Sequence, residues 1–331
     1  MKKYFIALLL ASLMVFPLTA GGSKEEITTD DAFGWVEKEM VNGLPGVNPL
    51  KVTGNIVSAG SSTVFPLSER MAERFISEGY NGTITVDSIG SGAGFERFTV
   101  AGESDISNAS RPIKQKEIDQ AKSIGRNPIE FKVGTDAIAV TVSKKNTFVK
   151  DVTKKELARI FGSAIYWSDV RSNWPKVEIQ RFIPGTDSGT FDYFVEEIFK
   201  TDPTPMLSAK NVQLSEDDNM LVTGIKGSEY AVGFFGYAYY VENKDTLNVL
   251  NIEGVEASTA TVNDGIYPLA RPLFLYSDAT IMREKPQVAA FIDFYLAYVN
   301  EEVTSVGYFP ASEESLAFSR ASWLEAMKGT Y

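Results

Sequence analysis

Asn55-Ile56-Val57-Ser58-Ala59, Gly60-Ser61-Ser62-Thr63, and then Leu67, Met71, Phe75 and Ile76 on one helical face decide the fold. They read as a buried strand, a small-residue loop and an amphipathic helix in immediate succession. Pro66 stands at the helix start, where a missing N–H costs little. The pattern returns downstream. Thr83-Ile84-Thr85-Val86 alternates as a strand and runs into Gly90-Ser91-Gly92-Ala93-Gly94, with Phe95 and Phe98 opening the next helix. Val177 to Ile183 alternates and runs into Asp187-Ser188-Gly189-Thr190, followed by Phe191, Phe194, Val195, Ile198 and Phe199 at helical spacing. Asp136-Ala137-Ile138-Ala139-Val140-Thr141-Val142 is a continuous apolar strand of the kind buried on both faces. Strands alternating with helices imply an α/β fold with mostly parallel sheets, in which ligands bind at the carboxyl ends of strands. All three loops sit at such ends.

Each loop offers what an oxyanion needs: hydroxyl donors, glycine backbone that permits close approach, and the free N–H groups of a helix start. Taken singly, each reads more readily as an ordinary helix N-cap. Three together suggest several helix ends converging on one anion. Arg111, held before Pro112 in an extended turn, could present its fork to two anion oxygens, or lie on the surface. Asp136 opens a buried strand and Asp187 touches the third loop, so either could accept the proton of a monohydrogen anion. Each could equally cap a helix or pair with Arg111. Ser215-Glu216-Asp217-Asp218 reads as a capping box opening another helix. Tyr230 to Tyr240 reads as strand and turn, Thr153 to Phe161 as a helix, Pro272 to Tyr276 as a strand, and Lys285 to Val299 and Glu313 to Lys328 as helices.

Composition narrows the chemistry. The chain has 331 residues, 44% of them hydrophobic, enough for one large or two ordinary cores. A formal net charge of -11 argues against nucleic acid and against an anionic membrane surface, but not against a small anion bound by local dipoles. The chain contains neither Cys nor His. Disulfides, thiolate metal sites, Cys nucleophiles and His general bases are therefore excluded. No P-loop, G-x-S-x-G elbow or S-x-x-K motif is present, and Phe95 breaks a G-x-G-x-x-G pattern. No cofactor or metal is expected, although an Asp/Glu-only site for magnesium or calcium stays open, and a lone Ser without a base is a poor nucleophile.

Met1-Lys2-Lys3, an apolar run from Tyr4 to Leu18 and Thr19-Ala20 form an export signal over residues 1–20, cut after Ala20. Gly21 stands where a lipoprotein would carry its acylated Cys, so the expectation is an exported protein without a thioether lipid, periplasmic or extracytoplasmic. Residues 21–53 are polar and read as an N-terminal arm or tether, with a helix around Asp31 to Met40.

Jointly, Ala59 to Pro66, Gly90 to Gly94, Ser107-Asn108-Ala109-Ser110-Arg111-Pro112 and Pro184 to Thr190 resemble the periplasmic phosphate-binding proteins of ABC importers, the PstS family. Ser215 to Asn219, Gly233-Phe234-Phe235-Gly236-Tyr237 and Tyr267-Pro268-Leu269-Ala270-Arg271-Pro272-Leu273 are similar to its SphX-like branch. The resemblance implies a type II periplasmic binding protein, two α/β lobes joined by a two-crossing hinge, with inorganic phosphate held between them. It places residues 54–136 and 271–331 in lobe one and 137–270 in lobe two, with the crossings near Asp136 to Ala139 and Ala270 to Leu273. It implies a monomer, not an enzyme, that hands phosphate to ABC permease subunits. The candidate ligand set is Ser61, Ser62, Thr63, Ser91, Ser110, Arg111, Asp187, Ser188, Gly189 and Thr190, with Asp136 as a further acceptor. Two departures stand out. Arg111 occupies the place of an acidic acceptor in the best-known members, and Pro184 lies where they carry an Arg before Ser-Gly-Thr. Rival readings are a receptor for another oxyanion such as sulfate, a secreted phosphoryl hydrolase, or a surface protein with a vestigial cleft.

Overall fold

A computed structural model of the protein describes residues 32–186, 188–215 and 217–329. The export signal and Asp187 lie outside the described residues. In chain order the strands are β1 (Trp35–Val41), β2 (Leu44–Val47), β3 (Asn55–Gly60), β4 (Thr83–Ser88), β5 (Ile106–Ala109), β6 (Pro128–Ser143), β7 (Asp151–Val152), β8 (Gln180–Pro184), β9 (Val212–Ser215), β10 (Ala231–Gly236), β11 (Leu247–Val249), β12 (Asn251–Ile252), β13 (Ala270–Asp278) and β14 (Phe309–Pro310).

One continuous ladder runs β4-β3-β5-β13-β6-β10-β8-β9, with β11 and β14 also pairing with β6. Its two ends are parallel: β4, β3 and β5 on one side, β10, β8 and β9 on the other. The pairs involving β6 and β13 are antiparallel. These two strands run side by side from one half of the molecule into the other. Along β6, Ile129, Phe131 and Val133 enter one core, while Ala137, Ile138, Ala139, Val140 and Val142 enter the second. Along the β13 path, Leu269 belongs to the second core and Leu273 and Leu275 to the first. The expected apolar strand from Asp136 thus begins earlier, at Pro128, because it has two cores to serve.

The first core is sealed by helix Phe65–Ser77 through Leu67, Met71 and Phe75, and by helix Pro286–Glu302. Phe75 lies 5.5 Å from Phe291 and 5.0 Å from Phe294, ring centre to ring centre. In the second core, helix Gly189–Phe199 buries Phe191, Phe194 and Val195, with Ile198 and Phe199 half-buried on the same side. Phe194 stacks on Phe234 at 3.9 Å, which pins that helix to β10. Asp217 caps helix Asp218–Gly227 by accepting from the Asn219 N–H at 2.9 Å. Tyr237–Asn243 is a short helix rather than a turn.

The helix expected around Asp31 to Met40 is instead a hairpin, β1 with β2. Asn42-Gly43 explains it. Both residues take positive φ, 51° and 86°, as a two-residue hairpin turn demands. Nor does this stretch hang free. Leu44 and Val52 are fully buried in the first core, Trp35 meets Trp323 edge-on at 6.1 Å, and the Asn42 side-chain amide donates to the Ala297 carbonyl at 2.8 Å. Leu44→Ala should therefore cost about 2–5 kcal/mol of stability, as expected for a buried large-to-small change. The check is the urea midpoint, and an unmoved midpoint would show that the hairpin rides on the core without supporting it.

Candidate anion-binding cleft

The first two loops are built against each other by two glycines. A Cβ on Gly60 would meet the Asn108 carbonyl oxygen at 2.1 Å, and one on Gly94 would meet Gly60 Cα at 2.4 Å. Neither position tolerates a side chain, so helix Ser91–Glu96 comes within backbone contact of the carboxyl ends of β3 and β5. Gly90 and Gly92, by contrast, face open space. Ser61 follows β3, donating its N–H to Asn108 O at 2.9 Å, and its hydroxyl accepts from the Thr63 N–H at 3.2 Å. Ser91 Oγ accepts the Ser110 N–H at 3.1 Å and lies 3.2 Å from Ser110 Oγ. In the other lobe, Ser188 caps helix Gly189–Phe199 by accepting the Thr190 N–H at 3.2 Å. A Cβ on Gly189 would stand 2.9 Å from Thr63 Cα, so the two lobes touch here, backbone to backbone.

That contact divides the candidate residues between two cavities. Ser61, Ser62, Thr63, Ser91, Ser110 and Arg111 line one of about 370 Å³, together with Gly90, Gly92, Asp192, Glu196 and Arg271. Ser188, Gly189 and Thr190 line its neighbour of about 550 Å³, beside Asp218, Tyr239 and Tyr308. Ser62 faces both. The first cavity has cations in its wall, and the second has none among its lining residues.

The main cation, Arg271, is absent from the sequence-derived set. It sits on β13 directly across the ladder from Asp136 on β6. Its Nε donates to Asp136 Oδ2 at 3.3 Å and its Nη1 to Ser110 Oγ at 3.3 Å. Its Nη2 donates to Thr63 Oγ1 and, at 3.1 Å, to the Gly189 carbonyl. The guanidinium carbon lies 3.8 Å from the centre of the Tyr193 ring, and Glu196 stands 3.6 Å from Nη1. The side chain is 9% exposed and Asp136 is wholly buried. Burial pushes the Asp136 carboxyl above its usual range, and the neighbouring guanidinium and the Ala137 N–H offset only part of that. Asp136 lies beneath the arginine and is not among the lining residues. A signal for Arg271 existed in the sequence: like Arg111, it precedes a proline, and an apolar strand follows it.

Arg111 reaches the cavity wall, but its fork is engaged elsewhere. Nη2 and Nη1 donate to Glu117 Oε1 and Oε2 at 2.7 and 3.0 Å, and the group lies 4.9 Å from the centre of the Phe95 ring. Glu117 also accepts the Lys114 N–H at 2.8 Å, closing the start of helix Gln115–Ser123. Burial works against the Glu117 carboxylate, but the Arg111 and Lys114 bonds outweigh it and hold its pKa below the usual 4.5. Two carboxylates of helix Gly189–Phe199 complete the cavity. Asp192 accepts from Ser62 Oγ at 3.1 Å, across the lobes, and Glu196 sits beside Arg271. Among the described residues no cluster of three or more acidic side chains could hold a metal ion. The arrangement is one of donors, with two acceptors at the rim: a place for a small, multiply hydrogen-bonding anion.

The chain is similar in sequence and fold to known proteins. A family model described as a PBP superfamily domain matches residues 48–298. The chain is 41% identical over 266 residues to the protein SphX of Synechococcus elongatus, covering 77% of each chain. It is 36% identical over 268 residues to the phosphate-binding protein PstS of Staphylococcus haemolyticus, covering 79% of this chain and 83% of that one. A crystal structure of a possible phosphate binding protein from Planctomyces limnophilus superposes with a TM-score of 0.78 at 36% identity, covering 83% of this chain and 99% of that one. A putative phosphate ABC transporter substrate-binding protein with bound phosphate, from Clostridium perfringens, gives 0.52 at 26% identity, covering 78% and 100%.

Two outcomes follow from the geometry. Gly189→Ala should push the helix start off Thr63, seen as a larger radius of gyration in small-angle scattering; an unchanged radius would mean that the contact yields locally. For Glu117, a folded-state pKa below 4.5 means that its stabilisation is full above pH 4.5 and is lost as pH falls through the depressed value. The melting-temperature gap between wild type and Glu117→Gln should therefore shrink below pH 4.5. A gap constant with pH would mean that the pair contributes nothing through charge.

Proposed function

The chain belongs to the PBP superfamily, among the PstS and SphX phosphate-binding proteins, and from that premise we propose that it captures inorganic phosphate between its lobes and delivers it to an ABC permease. It is an extracytoplasmic binding protein and not an enzyme. The observation that carries the reading is a buried arginine, Arg271, ringed by the hydroxyls of Thr63 and Ser110 with Ser91 beyond, in one cavity at the carboxyl ends of three parallel strands.

Phosphate entering this cavity exchanges water for charge-assisted bonds from the guanidinium and for hydroxyl donors. Ser61, Ser62, Thr63, Ser91, Ser110 and Arg271 form the contact set of this reading, with Arg111 as a wall held by Glu117. The Ser188–Thr190 helix start abuts the first loop from the opposite lobe, and its N-terminal dipole adds positive potential across Ser62. The lobes are those of the sequence reading, residues 54–136 and 271–331 against 137–270, supported by the change of core along β6 and β13. Closure brings Gly189 against Thr63 and Asp192 against Ser62, and the permease reads the closed form. The carboxylates of Asp192 and Glu196 accept a hydrogen bond from protonated phosphate, which fully ionised sulfate cannot offer. The Met1–Ala20 leader exports the chain, which works as a monomer. Among the described residues no helix is long and apolar enough to cross a membrane.

Calorimetric titration tests this. Phosphate should bind and sulfate should not, and Arg271→Ala should cost about 2–5 kcal/mol of binding, the loss expected for truncating a buried, hydrogen-bonded charge. Tight sulfate binding without phosphate binding would overturn the reading, as would an Arg271→Ala variant with wild-type affinity.

A further inference from the structure

Arg271 is held from two directions by groups that do not themselves line its cavity. Asp136, its cross-strand partner, takes the Nε edge from below. Tyr193, on helix Gly189–Phe199 of the other lobe, lays its ring 3.8 Å from the guanidinium carbon. With Nε engaged and one face stacked, the plane of the fork is fixed, and its two Nη groups point to Thr63, Gly189 and Ser110 at the cavity wall.

Asp136 is otherwise a costly residue. It is fully buried, and among the described residues its second oxygen, Oδ1, has no hydrogen-bond partner. A buried polar atom left unpaired is destabilising, and a buried ion pair as a whole is often no better for stability than a packed apolar pair. Stability alone does not account for this carboxylate. Aiming an arginine does: without Asp136 the side chain keeps its charge but loses the bond that fixes its long axis. Tyr193 adds a conditional element, because it arrives from the second lobe. The guanidinium is clamped on both sides only when the lobes are together.

We infer that Asp136 and Tyr193 are positioning residues for Arg271, fixing the plane of its guanidinium so that it meets phosphate at full strength only in the closed cleft. The inference rests on the phosphate-binding reading above. Calorimetry with inorganic phosphate on the full chain tests it through a double-mutant cycle. Asp136→Asn keeps the shape and an acceptor but removes the charge; it should weaken phosphate binding about tenfold, the scale of one charge-assisted contact. Combined with Arg271→Lys, it should add little to the loss from Arg271→Lys alone, because the two residues act as one unit. Additive losses, or an unmoved dissociation constant in Asp136→Asn, overturn the inference. A second pair of variants reads the other side and stands even if Asp136→Asn fails to fold. Tyr193→Leu should weaken binding several-fold, and Tyr193→Phe, which keeps the ring face, should recover most of it. A Phe variant as weak as the Leu variant overturns the role of the ring. A wild type that binds no phosphate fails the function itself; a wild type that binds, with variants that do not differ, fails only the positioning.

Discussion

The cross-strand pair of Arg271 and Asp136 sits where the chain crosses between its two cores, and the cleft depends on it. The two residues face each other on β13 and β6, the strands that pass from one core to the other. A guanidinium taken out of water must regain its hydrogen bonds from protein, and this one does so from both lobes at once. A slip of one residue in the β6–β13 register would turn Arg271 to the other face of the sheet and leave Asp136 buried and alone. The same register fixes which residues of β6 enter which core. Charge placement and core assignment are thus a single constraint, and the cleft forms around it.

Everything else at the site is geometry in the service of that cation. Parallel strands β4, β3 and β5 end together, so the loops that follow them are neighbours although the sequence separates them. Gly60 and Gly94 let these loops approach to backbone contact, which brings Ser91 and Ser110 within hydrogen-bond distance of each other. In the opposite lobe the Phe194–Phe234 stack holds the helix that carries Gly189, Asp192, Tyr193 and Glu196. Three of those four touch Arg271, and the fourth bonds Ser62.

Much of this was legible in the sequence because it depends on local pattern. Strand–loop–helix periodicity located β3, β4 and β8 and the helices after them, and motif resemblance identified the family. What could not be read depended on partners distant along the chain. Nothing near Arg111 announced that Glu117, one helical turn into the next element, would take its fork. Nothing near Arg271 announced Asp136, 135 positions away. The glycines were legible as close-approach positions, but the approaching group at Gly60 and Gly94 is protein, not ligand. The hairpin is the opposite case. Its signal, Asn42-Gly43, is local, and the turn it specifies overrides the helical pattern of the preceding residues.

A second buried arginine shows by contrast what sets Arg271 apart. Arg181 on β8 is also fully buried, and burial pushes its pKa down to about 10. Its donors go to the carbonyls of Ile160, Ala164, Ile179 and Lys210, which tie the short helix Arg159–Ser163 with its C-terminal end and the Lys210–Asn211 turn to β8. It lines neither cavity of the cleft and pairs with no carboxylate among the described residues, so it acts as a brace. Arg271 differs in having a carboxylate behind it, hydroxyls beside it and open volume in front. Burial alone therefore does not mark a functional charge. A charge anchored from behind and left facing a polar cavity is what the proposed phosphate site uses, and it reconciles a net charge of -11 with an anion ligand: the field that matters there is set within a few ångströms, by Arg271 and the donors around it.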